Sequence, residues 1–600
     1  MAKLKTGPKV ALAVLGIAGA IYGARWYVVN HGSAKQQSTV PTSTEQLADF
    51  KETTTADNGG GTFALPSTNP ASMPGSPIKM LVIPWNAQMG LALANGGPTT
   101  MQGSLMQKNG VNLAIERQDD YGKMQEALVS CANQLSKGAK QCTTGANFVT
   151  IMGDAGPAFF AALNVQLEKL GAEYRAEIVG SAGRSFGEDK FMAPQAVRSE
   201  PKKAAPGLLV AGVLKDGDWN IALFWARENE VCNNPDVTTY DPDCLNWVGT
   251  SSFVEADEKY IQGACEERPV VQKGKKTGAT KRVCVNAVVT WTPGDVAVAQ
   301  KKGGLVSVLS TRENGSQMAN AIIGIRKWNR ENRGTVKAML KAVFEGSDQI
   351  KRGGQPVLMR AAKASAEIYK EETPAYWAKY YRGVEEADAT GNLVPLGGSR
   401  VFTLADNLRY FGLESGAANA YAATYKLFGD IAKQQYPQDL PTYPPVEQVV
   451  DTSYIREIAD EGMAKGSVDT QKFDDPAAAT ETLAKRSWRI TFETGSAAFG
   501  GSAAKELDQL LAVLVVASDT YVEIHGHTDN VGSPASNVTL SESRANAVKR
   551  YLEQKAPADF PTGRIKTVIG HGQSDPVASN ATNEGRALNR RVDIVIKSTH

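Results

Sequence analysis

The chain has 600 residues, which is too long for one hydrophobic core and predicts about three or four domains joined by connectors. It carries 65 Lys and Arg against 63 Asp and Glu, a formal net charge of +2. A nucleic-acid-binding surface must neutralise many phosphates, so this balance argues against a nucleic-acid partner.

The first segment of the chain predicts a membrane anchor. Lys3, Lys5 and Lys9 precede the apolar run VALAVLGIAGAIYGARWYVV at residues 10–29, which has about the 20 residues that a helix needs to cross a bilayer. Cations before such a run place residues 1–9 in the cytoplasm. We therefore expect a single transmembrane helix in the inner membrane, with the bulk of the chain in the periplasm.

A cleavable signal peptide is the alternative interpretation of the same segment. Ala18-Gly19-Ala20 and Tyr22-Gly23-Ala24 are both small-residue cleavage candidates. In either case the bulk of the chain is exported from the cytoplasm.

The cysteines agree with export. All six occur in three locally spaced couples, none with a CxxC spacing: Cys131 and Cys142, Cys232 and Cys244, Cys265 and Cys284. Such spacing does not favour a metal site and predicts three short-range disulfides in an oxidising compartment.

The organisation of the remaining chain follows from composition and periodicity. Residues 30–77 are rich in Ser, Thr, Pro and Gly and predict a flexible linker. Residues 78–445 alternate strand-like and helix-like runs, which predicts an α/β domain with mainly parallel sheet in two lobes. Its last third, including SQMANAIIGIRKWNREN, is predicted to be helical. Residues 446–485 are a second linker, and residues 486–600 form a last α/β domain.

Four stretches of the middle domain are candidates for a solute site, because open α/β sheets bind ligands at the carboxyl ends of their strands. Small residues with free backbone N–H groups, together with an arginine, would suit an anion. The residues are Trp85, Asn86, Asp154, Gly156, Ser181, Arg184, Ser185, Ser310 and Thr311.

The middle domain also resembles a known class of proteins. The runs LVSVLSTRENGSQMANAIIGIRKWNREN, GRSFGEDKF, VTWTPGDVAVA and VPLGGSRVFTLADNLRYFGL are similar to solute-binding proteins of ABC importers of the phosphate or nitrate, sulfonate and taurine type. The resemblance implies a bilobed fold that closes on a small anionic solute.

An enzymatic activity is not expected. The chain has no GxSxG, P-loop or HExxH motif, and every cysteine has a nearby partner. Residues 32 to 524 contain no histidine, the commonest general base. No cofactor is expected either.

The last domain contains an inward-facing arginine. In GHTDNVGSPASNVTLSESRANAVKRYL, residues 526–552, Asp529 follows a strand and Arg544 lies on the apolar side of a helix. A partly desolvated guanidinium needs a carboxylate. Either Asp529 and Arg544 pair with each other, or they face a cleft and bind a ligand that carries both signs of charge.

The joint pattern of this run with GHGQSDP and NATNEGRALNRRVDIVI is similar to the OmpA-like peptidoglycan-binding domain. The resemblance covers residues 486–600 and implies a βαβαβ sandwich that holds the diaminopimelate of the wall peptide. It implies the binding residues Thr528, Asp529, Asn537, Leu540, Arg544 and Arg591. His525, His527 and His571 invite a zinc hypothesis, but the family often has such residues without metal, so no metal is expected.

The sequence therefore predicts a non-enzymatic, membrane-anchored periplasmic protein. It would bind peptidoglycan with its last domain and a small anion such as phosphate with its middle domain. The alternative is a structural envelope protein whose middle domain no longer binds a solute and docks an envelope protein partner instead.

Overall fold

We describe the protein from a computed structural model over residues 55–57, 62–475, 477, 479, 481–493 and 495–599. The predicted transmembrane segment, residues 10–29, and most of the predicted linker 30–77 lie outside this part of the chain. Among the residues described, none of the helices combines the length and apolar character that spanning a bilayer requires.

The strands precede and alternate with helices throughout the chain. In chain order they are β1 (Thr55–Asp57), β2 (Thr62–Ala64), β3 (Ile78–Val82), β4 (Leu113–Arg117), β5 (Phe148–Met152), β6 (Ala176–Gly180), β7 (Gly183–Ser185), β8 (Lys190–Ala193), β9 (Leu209–Gly212), β10 (Asn246–Gly249), β11 (Cys265–Gln272), β12 (Lys275–Cys284), β13 (Ala287–Thr290), β14 (Val306–Ser310), β15 (Asn320–Ile325), β16 (Val384–Ala387), β17 (Leu393–Leu396), β18 (Ser399–Val401), β19 (Thr482–Trp488), β20 (Tyr521–Gly526), β21 (Ile565–Gly570) and β22 (Val592–Lys597).

The α-helices are α1 (Met89–Asn95), α2 (Leu105–Lys108), α3 (Tyr121–Ser136), α4 (Gly156–Leu167), α5 (Gln195–Ser199), α6 (Pro201–Ala204), α7 (Gly217–Glu228), α8 (Phe253–Ile261), α9 (Gly294–Lys301), α10 (Arg326–Glu331), α11 (Arg333–Arg352), α12 (Gly354–Tyr369), α13 (Pro374–Arg382), α14 (Leu404–Tyr410), α15 (Ala420–Gln435), α16 (Ser453–Asp460), α17 (Ala503–Val516), α18 (Pro534–Lys555) and α19 (Asn583–Asn589). Short 3-10 turns include Asn86–Gln88 and Gly153–Ala155.

Two five-stranded sheets form the two lobes of the middle domain. The first has the order β4-β3-β5-β15-β6 and the second the order β10-β9-β13-β8-β14. In each sheet three neighbouring strands are parallel to one another. One further strand, β15 in the first sheet and β8 in the second, pairs antiparallel with both of its neighbours. Four of the five strands in each sheet therefore point in the same direction, as expected for a mainly parallel sheet, and the one reversed strand makes each sheet mixed.

Strand β15 corrects one expectation. The run that contains it was predicted to be helical, but all six residues of β15 are buried, and they lie between β5 and β6. A strand buried on both faces is a continuous apolar run and shows no alternation. The helical stripe that follows, in α11 and α12, is buried core as expected.

Residues 446–485, expected as a second linker, make ordered contacts with the first lobe. The backbone of Ile178 in β6 exchanges hydrogen bonds with Val449 and Asp451. Helix α16 buries Tyr454, Ile455 and Ile458.

The C-terminal domain has a four-stranded sheet of order β19-β22-β20-β21 packed with helices. Strand β20 is parallel to β21 and antiparallel to β22. The predicted strands and helices are present, and the structure adds β21 and the short helix α19 to the expected βαβαβ pattern.

Three disulfides are formed, and they confirm the predicted pairing. Cys131 bonds to Cys142, Cys232 to Cys244 and Cys265 to Cys284. The third one links the two ends of the β11–β12 hairpin.

The C-terminal domain docks where the chain passes between the lobes. The chain leaves the first sheet at 181–189 and returns to it at 311–319. Arg184 of the outgoing connection forms a 3.0 Å ion pair with Asp519 and donates to the carbonyl of Gly315 on the returning one. The backbone N–H of Ser316 donates to Val516 O at 3.2 Å. One short loop of the C-terminal domain therefore contacts both connections.

Breaking the Arg184–Asp519 pair on one side should destabilise the docked arrangement. Both side chains are buried, at 10% and 7% exposure, so Arg184→Met leaves an uncompensated buried carboxylate, which costs roughly 3–5 kcal/mol. We expect a lower urea midpoint for the full chain by tryptophan fluorescence, and a large recovery in the Arg184→Met, Asp519→Leu double variant.

The matched control is Lys202→Met, which breaks an ion pair to Glu230 whose side chains are 64% and 50% exposed. Exposed pairs contribute about 0–1 kcal/mol. Equal losses in Arg184→Met and Lys202→Met would contradict a structural role for the buried pair.

Candidate functional site

The first candidate site is the cleft between the lobes, where the carboxyl ends of strands from both sheets come together. Asp154 follows β5 in the first lobe, and Asp216 and Asp218 begin α7 after β9 in the second. Asn220 of α7 donates to a carboxylate oxygen of Asp154 at 3.3 Å. The lobes are therefore in contact across this cleft.

Two further acidic residues, Glu188 and Asp189, come from the segment before β8. Because β8 runs antiparallel to β13, residues that precede β8 lie at the carboxyl edge of the second sheet. The carboxyl groups of Asp189 and Asp218 are hydrogen-bonded to each other, which requires one of them to carry the proton. These two residues link the segment before β8 to α7.

The five carboxyl groups are buried and lack a compensating cation. Burial raises the pKa of Asp154 to about 8, of Asp189 to about 7 and of Asp216 to about 6. Burial also raises the pKa of Glu188 and Asp218, and neighbouring carboxylates raise them further. Within the described residues, no Lys or Arg lies within 4.0 Å of any of the five. The two lysines that directly adjoin these acids in sequence have other partners: Lys190 pairs with Asp295 at 2.6 Å, and Lys215 pairs with Asp439 at 2.7 Å.

The same cleft holds several polar atoms without a hydrogen-bond partner among the described residues. They include both polar side-chain atoms of Asn86, the indole nitrogen of Trp85 and, apart from the contact with Asp218, both carboxylate oxygens of Asp189. All three side chains are fully buried. Since buried polar groups are normally hydrogen-bonded, these atoms are available to a ligand.

The predicted solute-site residues divide between the cleft and other places. Trp85, Asn86 and Asp154 reach the cleft. The hydroxyls of Ser185 and Thr311 are 2.6 Å apart, and the backbone N–H of Thr311 donates to Asp189 O, so both support the acidic segment.

The other four predicted residues have structural partners. Ser181 bonds to Gly183 and Asn407, and Ser310 bonds to Glu313. Gly156 packs against Tyr421, whose hydroxyl would lie 2.9 Å from an added Cβ. Arg184 is bound to Asp519 of the C-terminal domain.

This arrangement does not favour the anionic solute that the sequence predicted. The arginine expected to bind an anion points to another domain, and carboxylates occupy the cleft. Sequence reasoning missed Glu188, Asp189, Asp216 and Asp218. The signal was present in GEDK and KDGD, acidic pairs directly beside predicted strands.

The second candidate site surrounds Asp529 in the C-terminal domain. Asp529 follows β20, and its carboxylate accepts from Val531 N at 3.0 Å and pairs with Arg590 at 2.5 Å. Arg544 lies on the buried face of α18 as predicted. Among the described residues it makes no ion pair with Asp529 or any other carboxylate.

The guanidinium of Arg544 is close to this pair. Its Nε donates to Ser496 O at 3.0 Å, and it lies 5.0 Å from the ring centre of Phe492. Burial and the charge of Arg590 lower the pKa of Arg544, while Asp529 raises it. Its two terminal nitrogens have no hydrogen-bond partner in the described chain, yet they are not sealed from solvent.

Of the remaining predicted wall-binding residues, Thr528, Asn537 and Leu540 lie near Asp529, and Arg591 does not pair with it. Asn537 donates to Asp529 O at 3.3 Å, Thr528 has a buried hydroxyl without a partner in the described chain, and Leu540 is half-buried beside them. Arg591 instead points inward and binds Asp593 at 3.0 Å. The arginine at Asp529 is Arg590, which the sequence analysis did not select.

Three histidines of this domain, His525, His527 and His571, form a stack. The rings of His525 and His527 both lie parallel to His571, with centroids 5.1 and 4.8 Å away. In the described residues, one trio places possible metal ligands within 4.8 Å of each other: His527, Asp575 and Asp593. Arg591 already binds both of these carboxylates, so their charge is compensated without a metal.

Similarity to known proteins covers both parts of the chain. Residues 491–590 match the OmpA family. The OmpA-family domain is 48% identical over 79 residues to Outer membrane porin F of Pseudomonas aeruginosa, covering 13% of this chain and 22% of that protein. It is 43% identical over 90 residues to Peptidoglycan-binding protein ArfA of Mycobacterium tuberculosis, covering 15% of this chain and 26% of that protein. The chain therefore spans about a quarter of the length of these relatives.

Beyond the OmpA-family domain, the fold is similar to a periplasmic nitrate-binding protein, NrtA of Synechocystis PCC 6803. The match covers 66% of this chain and 90% of that protein, with a TM-score of 0.43 and 12% identity. The OmpA-like resemblance found in the sequence is thus confirmed by the family match over residues 491–590.

The buried carboxyl groups predict that stability falls as the pH rises. Unfolded aspartates lose their protons near pH 4, whereas Asp154, Asp189 and Asp216 keep theirs to about pH 6–8. The folded state therefore binds more protons in this range, and its stability is lost between about pH 4 and pH 8. Urea midpoints at pH 5, 6.5 and 8 measure this slope.

The variant Asp189→Asn should flatten the slope, since it removes one of these groups. The control is Asp243→Asn, which changes an exposed aspartate of the same lobe and should keep the wild-type slope. A stability that rises from pH 5 to 8 in the wild type would contradict the prediction.

Proposed function

We propose that this protein is a non-enzymatic component of the bacterial envelope that binds peptidoglycan through its OmpA-family domain and a small solute in the interlobe cleft. We further propose that residues 10–29 anchor it in the inner membrane, with the remainder in the periplasm. The OmpA-family match and the fold similarity to a periplasmic binding protein support this placement.

The wall-binding proposal rests on one observation: Arg544 is buried but makes no ion pair among the described residues. A guanidinium fork with two free terminal nitrogens is suited to bind a carboxylate with two parallel hydrogen bonds. Asp529 lies beside it, and a carboxylate with one N–H donor and one arginine can still accept further donors. The site therefore offers a partner for each charge of a zwitterion.

Diaminopimelate of the wall peptide has this chemistry, because its free end carries an ammonium and a carboxylate. We propose that Arg544 binds the carboxylate and Asp529 the ammonium, with Thr528, Asn537 and Leu540 shaping the site. Arg590 would position Asp529. Arg591, which is engaged with Asp593, would stabilise the fold of the site.

The wall-binding proposal predicts that Asp529→Ala and Arg544→Ala each reduce binding to isolated sacculi at least tenfold. Each variant removes the partner of one buried charge of the ligand. The measurement is co-sedimentation of the full-length chain with sacculi over a range of protein concentrations.

The matched control is Arg550→Ala, which removes an exposed arginine from the same helix α18 and should bind as wild type. Circular dichroism and thermal melts establish that the variants are folded. Wild-type sedimentation of both Asp529→Ala and Arg544→Ala would contradict the assigned roles.

A further inference from the structure

We infer that the interlobe cleft binds a small organic cation with ammonium groups, such as a protonated diamine, and not an anion. This inference rests on the proposed solute binding by the middle domain and adds the chemical class of the solute. It is carried by the charge of the cleft, by its unused hydrogen-bond acceptors and by the spacing of its carboxylates.

The charge of the cleft is the first observation. Asp154 comes from one lobe, Asp216 and Asp218 from the other, and Glu188 and Asp189 from the connection between them. All five are at most 9% exposed. Charges removed from water must be paired or protonated, and the described chain supplies no Lys or Arg within ion-pair distance. A cationic ligand would provide the missing charge.

The unused acceptors are the second observation. Apart from the contact between the carboxyl groups of Asp189 and Asp218, both oxygens of Asp189 and one oxygen each of Asp154, Asp218 and Glu188 lack hydrogen-bond donors in the described chain. Nitrate and sulfonates present only acceptor oxygens at neutral pH, so they cannot donate to these groups, and the negative charge of phosphate opposes the carboxylates even though its P–OH groups can donate. Ammonium groups donate up to three hydrogen bonds each.

Two fully buried polar side chains of the cleft, Trp85 and Asn86, also have hydrogen-bonding groups that are unsatisfied among the described residues. The buried amide of Asn86 has neither of its atoms bonded in the described chain. The indole N–H of Trp85 is directed at Asp189, whose pKa is raised by burial and lowered slightly by this contact, but the two do not form a well-oriented hydrogen bond. Both residues follow β3, at the carboxyl edge of the first sheet.

The spacing of the carboxylates favours an organic cation over a metal ion. A chelated ion needs several ligand atoms around one point. In the part of the chain described, the one group of three such atoms within 4.8 Å lies in the OmpA-family domain, and none lies in the cleft. The carboxylates are spread over two lobes, as a molecule with separated ammonium groups would require.

Binding should depend on pH through the groups that face one another in the cleft. Deprotonation of the carboxyl groups between about pH 6 and 8 creates the charge that attracts the ligand, so affinity should increase with pH across this range. The facing titratable and charged groups are Tyr121 of α3, Asp154 before α4, Glu188 and Asp189 before β8, Lys190 of β8, Asp216 and Asp218 at the start of α7, Asp295 of α9, Tyr369 of α12, Tyr376 of α13, Tyr410 of α14 and Tyr421 of α15.

The test is a thermal-shift screen followed by titration calorimetry on the full-length chain at pH 7.5 and low salt. The probes are 1,4-diaminobutane, spermidine, phosphate, nitrate, methanesulfonate, Mg²⁺ and Ca²⁺. We expect 1,4-diaminobutane or spermidine to raise the melting temperature by several degrees, and to bind at least tenfold more weakly at pH 5.5.

Asp189→Asn and Asp218→Asn should each weaken binding of the amine at least tenfold, while the ligand-free variant melts at or above the wild-type temperature. That combination distinguishes a ligand-binding role from a structural one, because loss of a structural group would lower the melting temperature. Asp243→Asn is the exposed control and should bind as wild type.

The outcomes separate this inference from the proposed function. Stabilisation by phosphate, nitrate or methanesulfonate, lost in the Asp189 variant, would overturn the cation inference and leave solute binding in place. Stabilisation by Mg²⁺ or Ca²⁺ alone would overturn it in favour of a metal site. If none of the probes binds, both the inference and the proposed solute binding are contradicted, and wall binding by Asp529 and Arg544 is unaffected.

Discussion

The arrangement of the described chain depends on the buried ion pair between Arg184 and Asp519. Strand β7 is only three residues long, and successive side chains on a strand point to opposite faces. Arg184 therefore reaches the OmpA-family domain, while Ser185 turns to Thr311 beside the cleft. Because Arg184 and Ser185 are neighbours in β7, a movement of either side chain shifts the backbone that holds the other. The connection thus determines both how the domains dock and how the acidic segment is held.

The fold was predictable from the sequence where the pattern is local. Short apolar runs such as IKMLV and FVTIM became β3 and β5, and neighbouring cysteines became disulfides. The direction and order of strands were not predictable, because β8 and β15 take their places through pairings with strands distant in sequence. The AIIGI run shows why: its composition suits a buried helix or a strand buried on both faces, and only the tertiary pairing decides.

The candidate sites were likewise predictable only where local sequence determines the position of a side chain. Asp529 and Arg544 were predictable because a strand end and a helix phase determine where each points, whereas Arg590 and Arg591 are adjacent and only the structure shows which one faces Asp529. In the cleft, the sequence located the correct strand ends but not the sign of the charge. Arg184 suggested an anion site, and its partner Asp519 is 335 residues away in sequence. Glu188 and Asp189 lie at the carboxyl edge of the second sheet because β8 runs antiparallel to β13 and β14, a pairing that the local sequence does not reveal.

Both candidate sites contain buried charged groups that lack a partner of opposite charge among the described residues, and the charge is positive in one site and negative in the other. In the OmpA-family domain a guanidinium is partly removed from water without a carboxylate bound to it, and in the cleft five carboxyl groups are removed from water without a cation. Each arrangement is unfavourable for the free protein, because desolvated charge is costly when it is not compensated. A ligand of complementary charge would remove that cost, so the proposed binding would gain from groups that folding alone leaves unsatisfied. Stability and recognition are therefore opposed at these positions, and substitutions that neutralise the buried charge should stabilise the fold as they abolish the site.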